Sequence, residues 1–80
     1  MTVLEKVTEV VAEVLELDPS EVAPDANLPK ELGLDSVLAI DVATALEAYY
    51  KVQLLDDQMD QLTSPRAIAE IVEKLLRGTA

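Results

Sequence analysis

Ser36 lies between an aspartate, Asp35, and an apolar run, within the stretch ELGLDSVLAIDVATALEAYY that spans Glu31 to Tyr50. A serine hydroxyl becomes a nucleophile only beside a general base. The chain has no histidine and no cysteine, which leaves lysines and carboxylates for that task. The lysine nearest in sequence, Lys30, falls in a proline-rich connection with no neighbouring feature to activate it. Ser36 is therefore expected to perform no chemistry unaided. A second group, Asp56, Asp57 and Asp60 in LLDDQMDQL, offers the oxygen ligands a hard cation takes, but it lacks the glycine and the distal glutamate of a calcium loop. Those aspartates read as helix-start charges on a solvated surface. By spacing alone, Asp35-Ser36 is the N-terminus of a helix and nothing more.

The elements that must position Ser36 are helices. Val3, Val7, Val10, Val14 and Leu17 recur at spacings of four and three, with Glu5, Glu9, Glu13 and Glu16 on the opposite side. Thr2 followed by Glu5 is a capping box for this first helix, and Asp18-Pro19 is its expected end. From Leu17 to Leu34 the periodicity lapses into a long connection carrying Pro19, Pro24 and Pro29, with Val22, Leu28, Leu32 and Leu34 available to pin it to a core. Gly33 marks either a close approach or a positive φ. A second helix is expected from Ser36 to Lys51, capped by Asp35. Its core stripe is Ala39, Val42 or Ala43, Leu46 and Tyr50, and a mixed stripe of Val37, Ile40 or Asp41, Thr44, and Glu47 or Ala48 leaves apolar residues exposed. A short helix fits Asp56 to Leu62. The last helix opens with Ser64 and Pro65, turns Ile68, Ile71, Val72, Leu75 and Leu76 inward, and stops before Gly78. The fold class is all-α, a small bundle of three main helices and one short one, in a single domain over residues 1–80.

Composition excludes whole classes of partner. Sixteen Asp plus Glu against six Lys plus Arg give a formal charge of -10, which repels phosphate backbones and anionic lipid. Nucleic acid and membrane are not expected partners, and proteins with basic patches are. No apolar run approaches the ~20 residues of a membrane span, and no targeting segment is visible, so the expected setting is cytoplasmic and the expected state monomeric.

The stretch ELGLDSVLAIDVATALEAYYKVQL resembles the acyl carrier protein family, including the related peptidyl carrier domains. Leu32, Gly33, Asp35, Ser36 and Val37 match, in order, the family's leucine-glycine-x-aspartate-serine-hydrophobic turn. The resemblance runs over essentially the whole chain, through LDPSEVAPDANL and the TSPRAIAEIV opening of the last helix. It implies that Ser36 carries 4'-phosphopantetheine, preceded by Asp35, on an arm ending in a thiol that holds acyl groups as thioesters. It also implies a carrier that is not itself an enzyme. A separate phosphopantetheinyl transferase, using coenzyme A and magnesium, would supply the activation this chain lacks. By position in the family pattern, Val37, Ile40, Asp41 and Glu47 are assigned to recognition of an acyltransferase, ketosynthase or other synthase enzyme with a basic docking patch, with Asp56, Asp57 and Asp60 as a second acidic patch.

This chain also departs from the bacterial fatty-acid carriers. Leu38 stands where those commonly have an acid, Thr44 replaces a larger apolar residue, and Tyr49-Tyr50-Lys51 replaces a more acidic stretch. A discrete carrier of a polyketide or hybrid peptide-polyketide pathway is the expectation. A fatty-acid-synthesis carrier, a peptidyl carrier and an unmodified interaction module of the same fold are the alternatives. Ala39, Ala43 and Ala45 read either as close helix packing or as room for an acyl chain within the bundle.

Overall fold

The computed structural model describes residues 2–54 and 61–78. Helix α1 covers Val3–Leu15, a single 3-10 turn covers Pro19–Glu21, α2 is Leu28–Glu31, α3 is Ser36–Tyr50 and α4 is Pro65–Leu76. No strand occurs among the described residues. The expected short helix from Asp56 to Leu62 lies outside them except for its last two positions. Helix α1 packs against both α3 and α4, and its foot rests on the 3-10 turn. The fully buried side chains Val7, Val11, Leu28, Val42, Leu46, Leu54, Ile68 and Val72 come from every part of the chain and fill one core.

Local chemistry starts and stops these helices. At the head of α1 the Thr2 N–H donates to Glu5 Oε1 at 2.8 Å and the Glu5 N–H donates to Thr2 Oγ1 at 3.1 Å. The bonds from Thr2 hold the Glu5 carboxyl below its usual range, so this cap contributes stability at neutral pH that is lost as acid protonates it. Helix α1 ends earlier than Asp18-Pro19. Glu16 takes the left-handed conformation at φ 59°, its N–H bonds back to Glu13 O, and the Leu17 N–H reaches Ala12 O at 2.8 Å. That closure satisfies the last carbonyls before the proline is reached.

Two of the prolines open helical turns instead of breaking structure. Asp18 caps the 3-10 turn with Pro19 at its first position, and Asn27 caps α2 with Pro29 in its first turn. Val22, Leu28 and Leu34 are buried and Leu32 is half-buried, so the long connection is pinned as its leucines indicate. Gly33 adopts φ 73° with nothing within 4 Å of a Cβ placed on it, which makes the backbone angle, not crowding, its requirement. The connection is also tied to α4: the Arg66 N–H donates to Pro24 O at 2.9 Å, and Arg66 Nε meets Asp25 Oδ1 at 2.8 Å. In α3 the core stripe is Ala39, Val42, Ala43 and Leu46, with Tyr50 half-buried. Leu76 is a correction to the expected inward face of α4, being 46 % exposed. It follows buried Val72 by one turn, but in that turn the contact with the core is made by half-buried Leu75.

Substitution separates the two kinds of tie. Leu28→Ala is expected to lower unfolding stability by about 2–5 kcal/mol, whereas Arg66→Ala, which removes an exposed ion pair, should cost under about 1 kcal/mol; urea unfolding measures both. Glu16→Gly relieves a left-handed side-chain penalty of about 1–2 kcal/mol against an unfolded-state cost of about 0.5–1 kcal/mol. A rise of a few degrees in the thermal midpoint is the expected result.

Candidate functional site

Ser36 owes its place to the residues just before it. Leu34 is buried and its N–H donates to Leu28 O at 3.0 Å, which fixes the chain one turn short of α3. Asp35 follows in an extended conformation, and its Oδ1 accepts the Leu38 N–H at 2.9 Å. The aspartate is thus the N-cap of α3, as its type and position indicate. Ser36 is the first helical residue, and its side chain faces solvent. The Ser36 and Val37 amides belong to the first turn and make no hydrogen bond among the described residues. Two open N–H groups and the positive end of the helix dipole favour an anion at the serine oxygen.

Among the described residues no side chain makes a hydrogen bond to the Ser36 hydroxyl that would mark it as a general base. The chain has neither histidine nor cysteine, and among the described residues no cluster of three acids could hold a metal ion. An exposed serine in this setting is suited to accept a group from another protein, since among the described residues it is open to solvent.

Around Ser36 the outward side of α3 is unusually apolar. Val37 is 66 % exposed and Ile40 46 % exposed, and Asp41, Thr44 and Ala48 are exposed beside them. Residues three and four apart share a helix face, so Val37, Ile40, Asp41 and Thr44 form a contiguous strip starting at the serine. Leu38 is half-buried and packs against the core, so its departure from an acid removes a charge without widening that strip.

Glu47 behaves differently from the other expected recognition residues. It is half-buried, and its Oε2 accepts a short hydrogen bond from the Leu54 N–H. That leaves Asp41 as the one exposed acid within α3. Asp56, Asp57 and Asp60, the expected second acidic patch, lie outside the described residues. Leu54 carries no sequence signal for its role, because it lies beyond the end of α3, where helical spacing no longer says which residues meet.

Residues 5–72 match a family model described as a phosphopantetheine attachment site. Over 75 residues the chain is 35 % identical to Polyketide-8 synthase acyl carrier protein 2 of Streptomyces avermitilis, a match that covers 94 % of this chain and 86 % of that one. It is 33 % identical over 75 residues to an acyl carrier protein of Campylobacter concisus, covering 94 % of this chain and 97 % of its relative. A 71-residue match at 35 % identity falls within a non-reducing polyketide synthase of Aspergillus niger, of which it covers 3 %. No helix among the described residues is long and apolar enough to cross a membrane. A family match over most of the chain, on a helical bundle with a solvent-facing serine at a capped helix start, makes this chain a member of the acyl carrier protein family, with covalently attached 4'-phosphopantetheine as its cofactor.

Proposed function

We propose that Ser36 is the attachment point of 4'-phosphopantetheine, and that the chain is one non-catalytic carrier domain over residues 1–80 serving polyketide or hybrid peptide-polyketide biosynthesis. The observation that carries the reading is the exposed hydroxyl at the first position of α3, anchored by buried Leu34 and by the Asp35 cap. The residues fit the group. The open Ser36 and Val37 amides would donate to a phosphodiester on the serine, and the exposed Val37 and Ile40 would offer apolar surface to the arm. When attached, the arm supplies the thiol that this cysteine-free chain lacks, as the holder of acyl groups in thioester linkage.

The protein's own part is to present and to dock. Asp35 holds the first turn so that the serine projects from a fixed frame, while activation of the hydroxyl falls to a separate transferase. Val37, Ile40 and Asp41 form the surface on which partner enzymes seat, with apolar contact at the centre and a single acid to meet a partner's base. A tether raises effective concentration at each partner, so weak and exchangeable docking suffices. The polyketide assignment is supported by the names of two relatives and by the low acidity of α3.

Incubation with coenzyme A, magnesium and a broad-specificity phosphopantetheinyl transferase should add the mass of one phosphopantetheine to the intact protein and nothing to Ser36→Ala. A folded wild-type protein that gains no mass would instead favour an interaction module. For docking, Asp41→Lys is expected to lower kcat/KM for a cognate partner several-fold at low ionic strength, with the gap narrowing as salt is raised. An unchanged rate would remove Asp41 from the interface.

A further inference from the structure

One residue of α3 supplies both acceptors that hold the chain as it leaves that helix. The Lys51 N–H donates to the main-chain carbonyl of Glu47 at 2.8 Å, and Lys51 itself turns the chain through the left-handed region at φ 60°. Three residues later Leu54 is fully buried, and its N–H donates to the carboxylate of the same Glu47. Between them Val52 is half-buried and packs on the core. Without that carboxylate the Leu54 amide, sealed from water with its side chain, would lack this acceptor. A residue in that position has its side chain committed within the protein, although its type and register suggest a surface acid.

We propose that Glu47 is a positioning residue of the docking face and not one of its docking acids, an inference that rests on the carrier reading above. The carboxylate fastens Leu54 beneath the end of α3, and the buried leucine in turn holds the last turns of the helix against the core. The exposed strip of Ile40, Thr44 and Ala48 is thereby presented on a helix that neither frays nor rolls at its far end. Recognition depends on Glu47 through its geometry as an acceptor, and its negative charge is not what the partner reads.

Charge and acceptor geometry separate experimentally. Glu47→Gln keeps a side-chain carbonyl for the Leu54 N–H and removes the charge, whereas Glu47→Ala removes the acceptor. The measurements are amide hydrogen exchange at Leu54 and the kcat and KM for loading of the full chain by a phosphopantetheinyl transferase at low and high salt. Glu47→Ala should speed Leu54 exchange by on the order of tenfold and raise KM several-fold with kcat unchanged at either salt, because a buried amide has lost its partner. Glu47→Gln should stay within about twofold of wild type in both readouts. Equal KM increases for Gln and Ala that vanish at high salt, with Leu54 exchange unmoved, would overturn the proposal and return Glu47 to the docking acids. If Glu47→Ala does not fold, Glu47→Gln decides alone: wild-type KM at low salt supports the proposal and a raised KM overturns it. A wild-type protein that takes up no phosphopantetheine would sink the carrier reading, and Leu54 exchange in Glu47→Gln against wild type would still decide whether the acceptor holds that amide.

Discussion

The main chain of Leu28 is the joint on which the placement of Ser36 depends. Its N–H donates to Thr63 O at 2.8 Å, just ahead of α4, and its carbonyl accepts the N–H groups of both Leu32 and Leu34. Its side chain is fully enclosed by the core. A single residue thus connects the entry of α4, the short α2 and the approach to α3. Hydrogen bonds of this kind add little net energy individually, and their value here is directional. They convert burial of a leucine into a fixed position for the serine eight residues on. Gly33 supplies the one backbone angle that lets the chain turn between these anchors.

The long helices were legible because each rests on a repeated signal. Helices α1 and α4 carry apolar stripes with explicit caps, and Asp35-Ser36 reads as a helix start from residue type alone. The connection between α1 and α3 was less legible. Pro19 and Pro29 read as breakers in a window without periodicity, yet each sits in a first turn behind an Asp or Asn cap, a pattern too short to register as a stripe. The early stop of α1 at Glu16 was hidden because a glutamate is an uncommon choice for a left-handed closure. Leu76 misled because two adjacent leucines fit the inward stripe and only the packing shows that Leu75 takes the contact.

At the site itself, the Asp35 cap and the exposed valine and isoleucine were readable from type and spacing, whereas Ser36 stood out only through the family resemblance. What the pattern could not separate was Glu47 from Asp41, six residues apart on the same helix. The first is half-buried and engaged by a bond from Leu54, and the second is open to solvent. Two acids that a sequence treats alike are sorted by tertiary contact, which is why low apparent acidity along α3 becomes lower still in three dimensions. Helix α3 is correspondingly apolar on both its buried and its outward sides. Such a face favours partners that contribute shape and apolar area, with charge setting the approach more than the final affinity.

The bond from the Arg66 amide to Pro24 O closes a path of more than forty residues, and it satisfies a first-turn donor of α4 that its own helix cannot. The start of the last helix is therefore completed by a stretch synthesised long before it. Loop-closure entropy must be met before that bond forms, so the structure matures late even though helices are local. An emerging chain that has already formed α1 and α3 still awaits α4 to settle the proline-rich connection that aims the serine. Settling of the turn that aims Ser36 is thus coupled to docking of α4, so the frame around the serine is completed only with the rest of the bundle.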